Sequence, residues 1–111
     1  MVVQLSSFKL DLVFRALADS TRRDIVHRTV AGPVSVSVLA EDYDMSFAAV
    51  QKHIAQLERA GLVRKRSVGR QRMVSAVPKE LARALACLQR LEALWLHRMT
   101  ALDAVLSQPK E

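Results

Sequence analysis

Cysteine is almost absent from this chain of 111 residues, Cys87 being the only one. A single thiol excludes an internal disulfide, and it excludes a metal cage built from cysteines within one chain. Long apolar runs are missing as well, since no stretch reaches the roughly 18 consecutive apolar residues that a membrane-spanning helix needs. The opening MVVQLSSFKL has no basic n-region ahead of a long apolar core and no small-residue cleavage pattern. The expected location is therefore the cytoplasm, with no membrane partner. A phosphate-cradling glycine loop, a paired-carboxylate motif and a nucleophile elbow are also missing, and His27, His53 and His97 fall on different elements. An enzyme is the weakest reading of such a chain, and no cofactor is expected.

What is present is an ordinary globular composition, half hydrophobic and a quarter charged, at a length that suits a single domain. Lys and Arg number 17 against 11 Asp and Glu, a net charge of +6. That balance permits a polyanionic partner without requiring one. Acidic residues are lacking where they would matter most, for none lies between Glu58 and Glu80, while Arg64, Lys65, Arg66, Arg70 and Arg72 all do.

The chain reads as a succession of helices with one basic hairpin. A first helix over Phe8 to Ala18 carries Leu10, Phe14 and Leu17 on one side, and Leu12, Val13 and Ala16 broaden its apolar surface until it needs two partners. Asp19 or Ser20 can cap a second helix through Val30, which Gly32-Pro33 ends. Val34 to Asp44 has room for a brief strand pairing and a helix of two turns, with Val36, Leu39 and Ala40 turned inward.

The stretch FAAVQKHIAQLERAGLVRKRSVGRQRMV, residues 47–74, changes rule halfway. Phe47, Val50, Ile54 and Leu57 recur at helical steps. Ser46 stands as the N-cap of this helix, and Gly61 stands where a left-handed residue would stop it. From Leu62 the spacing becomes that of two short strands about a turn at Gly69. Pro78 fits the first position of a last helix, and no Gly or Pro follows until after Leu106. Ala84, Leu88, Leu91, Trp95, Leu102 and Leu106 form its stripe, widened by Leu81, Leu85, Leu94, Leu96 and Met99. Such a helix is roughly 40 Å long, longer than a globule of this size needs, so its surplus apolar length points to a second subunit. The residues from Ser107 to Glu111 read as a loose tail.

Three short helices followed by a basic ribbon is the order of a winged helix-turn-helix, mainly α with a small β-hairpin wing and about five helices in all. The expected layout is one domain over residues 1–111, with dimerisation helices at 8–18 and 78–106, a helix-turn-helix at 34–61 and a wing at 62–77. The apolar stripe would leave Ala48, Gln51, Lys52 and Gln56 facing out. Gln pairs with adenine, Lys reaches guanine or phosphate, and Ala touches a thymine methyl, so that face suits a major groove in double-stranded DNA. Strand alternation cannot place every basic residue of the hairpin on one side. Arg66, Arg70 and Arg72 are the expected phosphate or minor-groove contacts, with Lys65 left apart.

These residues resemble a known family. LADSTRRDIV at 17–26, VSVLAEDYDMSFAAVQKHIAQLERAGLV at 36–63 and RSVGR at 66–70 are similar to the ArsR/SmtB family of bacterial transcriptional regulators, closely from Phe8 to Val77 and in general form over the last helix. The resemblance implies a homodimer joined through the first and last helices, at Leu10, Phe14, Leu88, Leu91, Trp95, Met99 and Leu102. It further implies a palindromic operator whose transcription the dimer represses. Metal-sensing members carry Cys-x-Cys on the third helix, where this chain has Ser35 and Ser37. The other familiar site needs Asp-x-His and a His-led pair on the last helix, where His97 stands alone with Thr100 three residues on. The resemblance is therefore to the branch without the usual metal motifs, and no metal ligand is expected.

Plainer readings stand beside these. His53, which with Ser46 completes the expected DNA-contacting set, could instead pack at the helix junction. Arg22 and Arg23 suit an ion pair with Asp19 or Asp24 better than phosphate, and His27 and His97 read most simply as surface residues. Cys87 fits a small buried hydrophobe, against a redox-responsive regulator in which it pairs with the other subunit's Cys87. Trp95 fits dimer core better than a ligand pocket. The remaining alternative, a winged-helix module used only for protein-protein contact, predicts an apolar outer face on the 47–60 helix, where the sequence places Gln, Lys and Gln.

Overall fold

The computed structural model describes residues 5–107, so all of the expected tail after Ser107 lies outside the described residues. Its elements run α1 (Leu5–Leu17), α2 (Ser20–Val30), β1 (Val34–Ser35), α3 (Val36–Asp42), α4 (Phe47–Arg59), β2 (Val63–Val68), β3 (Gln71–Ala76) and α5 (Pro78–Leu106). The expected class holds: five helices and a small antiparallel sheet. The sheet has three strands in the order β1-β3-β2, because Val34 and Ser35 pair with Val74 and Met73 and add an edge to the hairpin. The first helix begins at Leu5 instead of Phe8, nothing between the two being a helix breaker, and it ends at Leu17.

Short polar side chains set three helix starts. The Asp19 carboxylate accepts the Arg22 N–H at 3.0 Å, the Ser35 hydroxyl accepts that of Val38 at 3.1 Å, and the Ser46 hydroxyl that of Ala49 at 3.1 Å. Each satisfies a backbone donor that the first turn of a helix leaves without a partner. The end of α4 is equally well specified. Gly61 takes φ +78°, its N–H donates to the Glu58 carbonyl at 3.0 Å, and the Leu62 N–H donates to the Leu57 carbonyl at 2.9 Å. This crossed pair of bonds is a Schellman cap, and its usual apolar contact is supplied by Leu57 and Leu62, both fully buried.

The core lies where α1, α2, α3 and α4 meet the sheet. Val13 and Ala16 of α1 face it, with Ile25, Leu39, Val50, Ile54, Leu57, Leu62 and Val74 almost without exposure. Val36 and Leu39 are buried and Ala40 packs against the cluster, as the short helix was expected to place them. Phe47 does not join them and is 50% exposed. It shares the angular position of Ile54 on the helix, but two turns nearer the start, beyond the edge of the core.

Only the first turns of α5 belong to this body. Glu80 and Ala84 are buried, whereas every residue from Leu88 to Leu106 is exposed. At 1.5 Å per residue α5 is roughly 44 Å long, and the molecule measures 77 × 34 × 22 Å. No helix among the described residues is long and apolar enough to cross a membrane.

Candidate nucleic-acid interface

Burial of Val50, Ile54 and Leu57 orients α4 and leaves Ala48, Gln51, Lys52 and Gln56 exposed on the other side. Ala55 and Arg59 are exposed on the same strip, one turn and two turns beyond Lys52. Sequence reading passed over Arg59, although the step of seven from Lys52 is a signal that it shares that face. Ser46 is exposed at the start of the helix with its hydroxyl engaged as the cap.

The hairpin is a two-residue turn. Val68 pairs with Gln71, Gly69 has φ +61°, and no residue other than glycine has positive φ among the described residues. Positive φ at the first central position alone defines a type II′ turn, whose twist matches that of the paired strands. The resulting register decides which basic residues stand together. Lys65 is opposite Val74 and Ser67 opposite Arg72, whereas Arg66 is opposite Met73 and Arg64 opposite Ser75. Residues paired across two strands point to the same side, and alternate residues along a strand do too. Arg72 therefore shares its face with Lys65, the side on which Val63 and Val74 enter the core, while Arg64 and Arg66 occupy the reverse.

This register separates Arg66 from Arg72 and sets Lys65 beside Arg72, a placement that no count along the sequence can supply before the turn is known. Lys65 and Arg72 border one small hollow together with Gln51, Val36 and Ile54. A second, polar hollow of about 340 Å³ is lined by Glu58, Lys65, Arg66, Ser67 and Arg72. Within it the Glu58 carboxylate lies 3.8 Å from the Lys65 ammonium and accepts the Lys65 N–H at 3.4 Å, joining α4 to β2. Among the described residues, Arg59, Arg64, Arg66, Arg70 and Arg72 make no salt bridge, so their charges face solvent.

Behind this surface the supports of the helix-turn-helix are polar. His53 is half-buried and turned toward the domain, its Nδ1 3.2 Å from the Arg22 guanidinium. Arg22 also donates to the Ala16 carbonyl at 2.7 Å and the Arg15 carbonyl at 3.1 Å, and Arg23 donates to the Leu17 carbonyl at 2.7 Å. Of the expected partners Asp19 and Asp24, Asp19 lies 4.0 Å from the Arg22 guanidinium, while the shortest bonds of both arginines go to carbonyls at the end of α1. Asp24 instead accepts the Tyr43 hydroxyl at 2.6 Å across the turn between α3 and α4. Burial, reinforced by that bond, raises the Tyr43 phenol above its ordinary value. Arg28 lies over the Tyr43 ring at 5.7 Å and donates to Asp42 at 2.7 Å, closing the same turn from the other side.

Residues that would mark a metal site are dispersed. Ser35 is buried as the cap of α3, Ser37 is exposed, and His27 and His97 are exposed on α2 and α5. Among the described residues no three His, Cys, Asp or Glu side chains converge. Cys87 is half-buried in an open hollow between α1 and α5, with Leu10, Arg83, Arg90 and Leu91 around it. On the other flank of α1, Phe14 and Leu17 with Leu81, Ala84, Leu85 and Leu88 line an apolar groove. It runs into the bare stripe of Leu91, Trp95, Met99 and Leu102.

Known proteins share both the sequence and this architecture. The profile of a family described as a helix-turn-helix domain matches residues 17–66. The HTH-type transcriptional regulator Rv2034 of Mycobacterium tuberculosis is 39% identical over 90 residues, 81% of either chain. An ArsR-like transcriptional regulator from Rhodococcus sp. RHA1 superposes with a TM-score of 0.75 at 34% identity, over 87% of this chain and 92% of that one. The ArsR family transcriptional regulator RHA00566 does so with a TM-score of 0.76 at 35% identity, over 86% and 96%. A capped α4 with an outward polar face, a basic II′ hairpin beside it and these likenesses lead to one conclusion: the chain belongs to the ArsR family of winged helix-turn-helix proteins, which are DNA-binding transcriptional regulators and not enzymes.

Proposed function

We propose that the chain acts as a homodimer that represses transcription from a palindromic operator. One observation carries the DNA contact: the exposed Gln51 of α4 and the basic Lys65 and Arg72 of the hairpin border the same hollow, so helix and wing present one continuous polar and cationic surface. In this reading Gln51, Lys52 and Gln56 read base edges and Ala48 meets a thymine methyl. Ser46 and His53 flank them at the phosphate backbone, and Arg66, Arg70 and Arg72 hold that backbone from both faces of the wing. Residues 34–61 are then the helix-turn-helix and 62–77 the wing of a single domain.

The dimer is supported by the bare face of α5. Leu88, Leu91, Trp95, Met99 and Leu102 are each at least half exposed, with Leu10 and Phe14 of α1 beside the same helix. Burying one such side chain is worth about 1.5–3 kcal/mol, and a contiguous face of this kind is uncommon on a monomer. Helices 8–18 and 78–106 would supply the contact. The absence of a response to metals through the usual family sites is supported by Ser35, whose hydroxyl is engaged at the start of α3. A bacterial regulator acting on DNA works in the cytoplasm.

Selection of bound duplexes from a random pool tests this reading. Two inverted half-sites spaced by about one helical turn, 10–10.5 base pairs, are the expected outcome. A single enriched half-site, or none, overturns the palindromic dimer. A reporter driven from the selected site should fall when the protein is expressed, and a rise would make the protein an activator.

A further inference from the structure

Arg22 is a long cationic side chain only 12% exposed, and its ion pair with Asp19 is a long one, 4.0 Å, so shorter bonds hold its guanidinium. Its Nε and Nη2 go to the Ala16 and Arg15 carbonyls, at 2.7 and 3.1 Å, and its Nη1 to Nδ1 of His53, at 3.2 Å. The carbonyls lie in the last turn of α1, which leaves them short of helical partners, the Arg15 carbonyl otherwise accepting only a long bond from the Ala18 N–H at 3.3 Å. His53 lies on the flank of α4. A guanidinium only donates, so Nδ1 accepts and the ring proton sits on Nε2. Because the guanidinium fork is planar and rigid, one group sets the distance and the angle between the end of α1 and the side of α4.

We infer that Arg22 is a positioning residue for DNA binding: it locks the reading helix to the end of the dimerisation helix, and so sets the distance between the two half-sites that the dimer reads. The inference rests on the dimeric, palindromic reading above. α1 is the element shared by both halves of that argument, since it lies along α5 on one side and touches α4 on the other. Burial of Val50, Ile54 and Leu57 sets which side of α4 turns inward, and the His53 bond adds a fixed direction to that orientation. Oriented hydrogen bonds fix an angle that packing alone leaves soft. His53 Nε2 has no partner among the described residues, and no unpartnered side-chain nitrogen is buried, so its N–H reaches the surface beside Lys52. The lock thus also aims one donor at the backbone of bound DNA.

The experiment uses the full chain and three duplexes: the selected operator, the same operator with one base pair inserted at its centre, and a random sequence. His53→Ala should lower the preference for the correct spacing, the ratio of affinities for the selected and the lengthened operator, about tenfold, the scale of one hydrogen bond to a charged group. His53→Asn should recover the preference, because its amide oxygen can accept from Arg22 where Nδ1 did. Arg22→Lys should behave like His53→Ala, since an ammonium cannot span the three acceptors. If Arg22→Lys fails to fold, the two His53 variants still decide the matter, as both lose the ring and only asparagine keeps an acceptor for Arg22. Wild-type protein that prefers its spacing, beside alanine and asparagine variants that both keep or both lose that preference, overturns the lock while leaving the dimeric reading intact. Wild-type protein indifferent to the inserted base pair overturns the dimeric reading and the inference together.

Discussion

Gly61 joins two demands at a single position. Its φ of +78° is one that side chains rarely adopt, and a Cβ built there would stand 2.8 Å from Cγ of Glu80. The buried Glu80 lies against the end of α4 and is held by Arg83 at 3.2 Å, so the contact between α4 and the start of α5 depends on the missing side chain. Gly61→Ala should destabilise the fold by about 1–3 kcal/mol, read as a lower urea midpoint at unchanged m-value. Asp19 sets a different dependence. The Arg22 N–H that it accepts, followed by weaker attraction to the Arg22 guanidinium, holds its carboxyl below the ordinary value against a smaller opposing effect of burial. A folded value below the unfolded one means that the stabilisation is complete above the unfolded carboxyl range and is lost as pH falls through the folded value, at acid pH below about 4. Asp19→Asn keeps the cap but has no carboxyl to titrate. Its melting temperature should match that of the wild type near pH 7 and fall less steeply in acid, and parallel acid limbs would contradict the assignment.

At the level of elements, helix ends were legible because the chemistry that makes them is local. Asp19, Ser46, Gly61 and Pro78 each act on a backbone group within a few positions, and the structure places all of them at the expected ends. What escaped the sequence was settled by partners distant along the chain. Arg22 and Arg23 bind main-chain carbonyls, which carry no sequence signal, and the faces of Lys65, Arg66 and Arg72 depended on a register that only the Gly69-Arg70 turn sets. Phe47 kept the helical period but ran past the end of the core. The apolar period of α5 was plain, but one chain cannot show what covers it. Leu91→Asp puts a charge in the middle of that stripe, at a position 58% exposed in the single chain. The monomer fold should therefore survive, by circular dichroism, while the sedimenting mass halves. Trp95→Ala should weaken the dimer in the same direction. A Leu91→Asp protein that stays fully dimeric would place the interface elsewhere.

On the scale of the whole molecule, affinity and specificity should come apart. The net charge of +6 and the unpaired arginines of the wing draw the protein to any duplex, because each phosphate neutralised releases condensed counterions. Arg70 is exposed at the tip of the hairpin, and the proposed reading assigns it to that contribution alone. Arg70→Ala should weaken binding to operator and random DNA alike and lower the slope of log affinity against log salt by about 0.9 for one phosphate contact. The proposed reading assigns Gln51 to the other contribution, since it stands on the outward face of α4 with Lys65 and Arg72 at its side. Gln51→Ala should leave the salt slope unchanged and cost about 1–3 kcal/mol on the selected operator, with random DNA unaffected. Titrations of both variants at several salt concentrations separate the two effects in one series. A steeper loss on random DNA for Gln51→Ala, or an unchanged slope for Arg70→Ala, would exchange the roles of helix and wing.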